Sequence, residues 1–249
     1  MKRLTIILLS AIATVSAAAA DNLSMQQANA LAQESKFDEA ALIYDSLRNA
    51  GLESATLYYN LGYAYYKQGM LGWAILNFER AKRLAPGDED IAFNLEQLYA
   101  LTDKMQTLEP IFFVRWWQSL CNITDSDGWA LTFVVLFILM LAGIAAFMFA
   151  NAVALRKSGF FAAVIFLLLA CLAIGISSAQ KDDIVDGKAA IIMSSSVTLS
   201  TSPDKNGSEM AVLHEGTYVD IIDRLGQWCS VRLKDGNVGW LKASDIEVI

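Results

Sequence analysis

The sequence predicts a multi-domain membrane protein: an all-α helical repeat, then a two-helix transmembrane hairpin, then a small all-β barrel. Three observations carry this. Sliding the segment after residue 20 by 34 places lays like residues on like. Two long runs, Gly128–Leu155 and Ser158–Gln180, contain no charged residue. After Ala190 the apolar spacing changes from helical to alternating. A chain of 249 residues holds several small domains, and its 55% hydrophobic content is concentrated in those two runs.

The order begins with "MKRLTIILLSAIATVSAAAADN". Lys2 and Arg3 precede an apolar stretch, Leu4–Val15, which leads into small residues of Ala-x-Ala type. This is the pattern of a secretory signal over 1–20, cut near Ala20, with an uncleaved anchor as the alternative. On either reading the chain after Asp21 is exported.

Residues 21–107 carry the repeat and a capping helix. Ala40 falls on Ala74, Tyr44 on Phe78, Ala28 on Gly62, Phe37 on Leu71, and Tyr65 on Tyr99. The second copy is the fullest: Tyr58, Leu61, Gly62, Tyr65, Gly69, Ala74, Phe78, Ala81 and Pro86. Gly62 and Ala74 are small where two helices approach closely, Tyr65 and Phe78 fill the space beside them, and Pro86 ends the second helix. The first copy, about Asp21–Ser54, is degenerate but keeps "FDEAALIYDSL", and "EDIAFNLEQLYALT" supplies a capping first helix.

A period of 34 with these residue types resembles the tetratricopeptide family. The resemblance implies a concave groove that binds extended peptides or partner helices. Carried onto this chain, the groove positions are Thr56, Tyr59, Asn60, Tyr63, Tyr66 and Lys67, with Phe93 and Asn94 from the capping helix. Three tyrosines then share one helical face, and the Asn60 and Asn94 amides are placed to hold a peptide backbone. Met25 and Asp90 stand where relatives that grip acidic C-terminal peptides need cations, which excludes that ligand. The remaining groove suits apolar or aromatic side chains. The alternative is that the tyrosines only cover the helix seam.

Residues 108–128, "LEPIFFVRWWQSLCNITDSDG", join repeat to membrane. Phe112, Phe113, Trp116 and Trp117 are interface-anchor types, and Arg115 suits lipid phosphates. A short helix lying in the headgroup layer is expected, against the alternative of packing back on the repeat.

A single helix from Trp129 to Ala179 would be roughly 75 Å long, against a hydrocarbon core of about 30 Å. It would also leave Arg156 and Lys157 in mid-membrane, at about 2.5–3.5 kcal/mol each. Two spans, 129–155 and 159–179, folded at Arg156-Lys157-Ser158-Gly159, avoid both costs, with Gly159 as a left-handed helix end. Cytoplasmic loops favour Lys and Arg. The turn has two cations and no acid, whereas Asp21–Glu109 has 13 acidic and 7 basic residues and Lys181–Ile249 has 11 and 7. The turn is therefore expected in the cytoplasm, with both flanking domains beyond the inner membrane.

Residues 188–249 contain seven short strand candidates: "AIIM", "VTLS", "MAVL", "YVDIID", "WCSVRL", "NVGWL" and "IEVI". Glu215-Gly216, Leu225-Gly226 and Asp235-Gly236 are among the turns between them. Short strands with frequent glycine suggest closure into a barrel, which removes sheet edges. Gly226-x-Trp228, Asp235-Gly236 and Gly239-Trp240-Leu241, with Val197-Thr198-Leu199 and Leu213 before Gly216, resemble a bacterial SH3 domain. That resemblance implies peptide or cell-wall binding. Tyr218, Trp228 and Trp240 are the candidate surface, with a core role for both tryptophans as the alternative.

The net charge of −7 leaves no basic stripe for phosphates and argues against nucleic acid. Cys229 alternates in phase with Val231 and Leu233, which favours a buried thiol over a Cys121–Cys229 bridge. Neither a nucleotide-binding glycine motif nor a zinc spacing is present, and no cofactor or metal is expected. His214 is the single histidine, so a Cys–His nucleophile has poor support and no catalytic residue is assigned.

Signal, tetratricopeptide pair, hairpin and SH3-like domain, in that order, resemble the BatE-type proteins of Bacteroidetes aerotolerance operons. The resemblance implies an inner-membrane component working with von Willebrand A-domain Bat proteins and a MoxR-type ATPase. The residues themselves point to a non-enzymatic adaptor, with a peptidoglycan-binding tether as the rival reading.

Overall fold

The computed structural model describes residues 22–102, 111–186, 188–204 and 207–249. The expected signal, 1–20, and the start of the interfacial segment at Leu108–Pro110 lie outside the described residues. The chain forms two compact units, one of the helical repeat with the C-terminal strands, the other of the helices between them.

In the first unit five helices run as α1 (22–33), α2 (Phe37–Asn49), α3 (Ala55–Lys67), α4 (Leu71–Leu84) and α5 (Glu89–Tyr99). Their starts are written locally. Ser54 accepts a hydrogen bond from the Leu57 N–H at the head of α3, and Asp88 accepts from Asp90 and Ile91 at the head of α5. Glu89 and Asp90 add negative charge where the α5 dipole is positive. Ala28, Ala40, Ala41, Tyr44, Leu47, Leu57, Leu61 and Ala64 form one core across α1, α2 and α3. At the α3–α4 crossing a Cβ on Gly62 would lie 3.0 Å from Phe78 Cδ2 and 3.2 Å from Ala74 O, so only glycine fits without a shift. α4 ends at Leu84, two residues before Pro86, as proline's missing N–H requires.

The same unit contains a seven-stranded antiparallel sheet: β1 (Ala189–Ile192), β2 (Ser196–Ser200), β3 (Glu209–His214), β4 (Tyr218–Leu225), β5 (Trp228–Arg232), β6 (Val238–Lys242) and β7 (Ile246–Val248). All seven strand candidates appear. The spatial order is β3-β2-β6-β5-β4-β1-β7, with no pairing between β3 and β7. The expected closed barrel is therefore corrected to an open sheet. It curls around a single core that takes Ala190 and Ile192 from β1, Leu199 from β2, Leu213 from β3, Val219 from β4, Cys229 and Val231 from β5, and Leu241 from β6. The β7 edge is handled by cover instead of closure, since Arg80 and Arg83 of α4 donate to the main-chain oxygens of Val248 (2.7 Å) and Ile249 (2.6 Å).

All four residues of β1 are buried, where a half-exposed strand would alternate. Ala190 and Ile192 face the sheet core. Ile191 pairs with Tyr218 and turns the other way, yet is fully buried. Repeat helices and strands belong to one compact unit, joined where Arg80 and Arg83 meet β7 and its end and where Glu215 meets the Gly72 N–H.

The second unit is α6 (Phe112–Cys121), α7 (Ser126–Phe149) and α8 (Val153–Asp186). Asp125 caps α7 by accepting from the Gly128 N–H at 2.9 Å. α7 and α8 are long and apolar enough to cross a membrane, with mean hydropathy of 2.7 and 2.8 over their best windows. Only 11% and 22% of those windows are buried within the chain.

The helix break differs from expectation. It falls at Ala150–Ala152, and Arg156 and Lys157 lie inside α8. Two contacts explain the shift. Arg156 Nε donates to Phe147 O at 3.2 Å, placing a cation at the C-terminal end of α7 where the dipole favours it. Gly159 is needed within the helix, because a Cβ there would stand 2.8 Å from Gly143 O and 2.9 Å from Phe147 N. It is a close-approach residue and not a helix terminator. At the other end of the pair Ser177 Oγ donates to Ser126 O at 2.9 Å, and Gln180 Nε2 donates to Cys121 O at 2.8 Å, tying α6 to α8.

Candidate interaction groove

The groove positions predicted from the repeat lie on α3 and α5, the first helices of successive pairs. Tyr63 and Tyr66 are 36% and 43% exposed and Phe93 is 61% exposed, so three of the four predicted aromatic rings are open to a partner. Tyr59 differs: its ring stands edge-on to Phe78 at 5.3 Å and is half-buried. Lys67 Nζ sits 5.0 Å from the Tyr63 ring centroid and 5.6 Å from that of Tyr66, which binds the cation to the aromatic face. Phe37 of α2 buttresses Tyr63 edge-on at 6.0 Å. Thr56 is exposed in the first turn of α3.

The two asparagines join neighbouring helices. Asn60 Nδ2 donates to Asn29 Oδ1 at 3.0 Å, and Tyr44 donates to the same oxygen at 2.7 Å. Asn94 Nδ2 donates to the Tyr59 hydroxyl at 3.2 Å and to Asp90 O at 2.8 Å. These amides, expected to face a peptide backbone, bond within the chain here. They fix the spacing of α1, α3 and α5, and so the width of the groove.

In the sheet the register sets Trp228 opposite Lys242, Cys229 opposite Leu241 and Ser230 opposite Trp240. Cys229 and Leu241 point into the core, so Trp228 and Trp240 share the outer face, each half-buried. Tyr218 is not with them. It lies in the joint with the helices, where Lys234 Nζ is 4.8 Å from its ring and 4.1 Å from that of Tyr99. Burial, with the charges of Asp220 and Glu79, raises the Tyr218 phenol pKa. Burial lowers that of Lys234. The predicted three-residue surface is thus two tryptophans, with the tyrosine in the intramolecular joint.

The three cysteines are free, and Cys229 is 1% exposed within the sheet core, its thiol pKa raised by burial. His214 is exposed at the end of the edge strand β3. On α6 no residue is buried, and Phe112, Phe113, Trp116 and Trp117 are all exposed, with Arg115 between the two aromatic pairs. An apolar crevice of about 490 Å³ opens between α6 and α8, with Trp117 and Gly175 among its lining.

Glu79, Tyr99, Glu215, Arg80 and Lys234, which join helices to sheet, were missed by sequence reasoning. A usable signal existed: Glu79 is a buried acid on the inward face of α4, 34 residues after Asp45. An acid at a buried repeat position needs a partner.

Residues 55–88 match the tetratricopeptide repeat family. No curated protein matches the sequence significantly. The matched segment covers α3, α4 and the approach to α5. Repeats of this kind typically serve protein–protein interaction and are typically non-catalytic, which suggests an interaction scaffold beside the two long apolar helices.

Proposed function

We propose that this chain is a non-enzymatic membrane adaptor. α7 and α8 cross the bilayer, α6 lies in its interface, and the repeat groove holds an uncharged segment of a partner rich in apolar or aromatic side chains. The observation that carries the reading is the exposure of Tyr63 and Tyr66 on the first helix of the matched tetratricopeptide repeat and of Phe93 on α5, with Lys67 drawn onto the two tyrosine rings. Arg156 and Lys157, near the α7–α8 break, support the reading of a cytoplasmic turn, with repeat and sheet on the periplasmic side of an inner membrane. The order of parts supports a BatE-type protein acting with von Willebrand A-domain partners and, through them, a MoxR-type ATPase. The sheet is then a relative of bacterial SH3 domains.

A photo-crosslinking residue in place of Tyr63, in the full chain in native membranes, tests the groove. A discrete crosslinked protein is expected, and Tyr59→Ala with Tyr66→Ala should abolish it. Crosslinking that survives the double change refutes the assignment. The rival wall-tether reading draws on Trp228 and Trp240 sharing one outer face. Under the adaptor reading, full chain in detergent stays in the supernatant when purified sacculi are sedimented.

A further inference from the structure

We propose that the C-terminal sheet is the end cap of the helical repeat, taking the place that the second helix of a third pair would fill. The inference rests on the fold alone and not on what the groove binds.

The repeat arithmetic leads to it. Tyr65 of α3 donates its hydroxyl to Asp45 of α2, twenty residues earlier. Tyr99 of α5 donates to Glu79 of α4 at 2.5 Å, again twenty residues earlier. One hydrogen bond thus recurs at the repeat period, and α5 stands to α4 as α3 stands to α2. The equivalence fails on the other side of the ring. Tyr65 packs on Trp73 of α4, the second helix of its own pair, with centroids 5.8 Å apart. The Tyr99 ring instead meets Lys234 Nζ at 4.1 Å, with Tyr218 on the far side of the cation. Among the described residues, the groups that complete the third pair come from the sheet.

Three further contacts lock the sheet there. Glu215 Oε1 accepts from the Gly72 N–H at 2.7 Å, capping the first turn of α4 with a carboxylate where the helix dipole is positive. Gly216 has φ of +84°, and a Cβ on it would lie 2.8 Å from Ile75 Cδ1 and 2.9 Å from Thr102 Cγ2. Only glycine allows both that backbone and that proximity. Arg80 adds an ion pair to Glu247 at 3.6 Å, beside its bond to the Val248 oxygen. A stack of helix pairs leaves an apolar face at its end that must be covered. Here the cover comes from the β3–β4 turn, Tyr218 of β4, Lys234 and β7. A consequence follows for α5, which presents Phe93 and Asn94 to the groove and Tyr99 to the sheet. Docking of the sheet holds the third wall of the groove in place.

Amide hydrogen exchange on the full chain in detergent micelles, resolved by helix, tests the cap. The double variant Glu215→Ala, Lys234→Ala removes the carboxylate cap and the cation without touching the sheet core. Exchange in α5 should quicken by about tenfold or more, while α2 and the β5–β6 pair keep their protection. Gly216→Ala should act in the same direction, and if it abolishes folding the double variant decides. Unchanged α5 protection overturns the proposal. So does an equal rise in α2, α5 and the β5–β6 pair, which would mean general destabilisation and no special joint.

Discussion

α3–α4 and α7–α8 are both helix pairs closed on glycine, and they differ in what surrounds the crossing. At Gly62 the nearest atoms to an added Cβ include a side-chain ring, Phe78. At Gly143 and Gly159 they are main-chain atoms of the opposing helix, Gly159 O at 2.9 Å and Gly143 O at 2.8 Å. Away from the crossing the contrast is sharper. α4 buries Ala74, Ile75, Leu76, Phe78 and Ala81 along one face, whereas α7 buries only Met140 and Gly143 and leaves Leu131, Val134, Ile138 and Phe149 exposed. A small residue at a crossing reports close approach and says nothing of the solvent. The outer surface carries that information, and on α7 and α8 it is apolar.

The largest effect that would sharpen this contrast comes from valine at the two glycines. In Gly159→Val the obstructing atoms are backbone and cannot rotate away, so the helices must separate. A disulfide between cysteines placed at Ser126 and Ser177, whose hydroxyl oxygens are 3.2 Å apart, should form readily in the parent and be lost in the variant. Gly62→Val should cost about 1–3 kcal/mol, since the buried Phe78 ring and Ala74 O must each give by a few tenths of an ångström, and should lower the urea midpoint without preventing folding. Retention of the engineered disulfide in Gly159→Val would mean that the hairpin is not held by this approach.

How much of this was legible in advance follows from the range of each signal. Strands were legible because alternation and turn glycines are local, as at Asp235-Gly236 between β5 and β6. The helix pairs were legible because a 34-residue period repeats its own evidence. Closure of the sheet was not. Strand count and glycine content are common to open and closed sheets, and what covers the β7 edge is Arg80 and Arg83, over 160 residues away in sequence. The hairpin turn was misplaced for a related reason. Two cations between oily runs read as a loop, but one of them finds its partner at Phe147 O, on the preceding helix. The exposure of Tyr63, Tyr66 and Phe93 was legible from the repeat. The internal bonds of Asn60 and Asn94 were not, because an amide's partners depend on the distance between helices.

A smaller effect separates the two regions by pH. Burial raises the Tyr44 phenol from 10.0 to about 12, and Tyr65 and Tyr99 are raised in the same direction by burial, with Asp45 and Glu79 adding to it. The folded chain keeps these protons where the unfolded chain has lost them. Their contribution is therefore full below pH 10 and declines as pH rises through the window from 10 to about 12 for Tyr44. Lys234, lowered by burial, works oppositely, its cost easing as pH rises towards 10.5. Urea midpoints of the repeat helices at about pH 9 and about pH 11 should fall with pH, and Tyr44→Phe should reduce the fall. An unchanged slope in Tyr44→Phe would remove this residue from the account.

The measurement closest to the central claim uses the native Cys171, which is exposed on the surface of α8. In a Cys121→Ala variant, in membranes opened so that both faces are reachable, a membrane-impermeant maleimide should leave Cys171 unlabelled until the chain is denatured. Cys229, buried in the sheet core, should label no earlier than Cys171. Ready labelling of Cys171 in the intact membrane would put α8 in water and contradict the assignment of α7 and α8 to the bilayer.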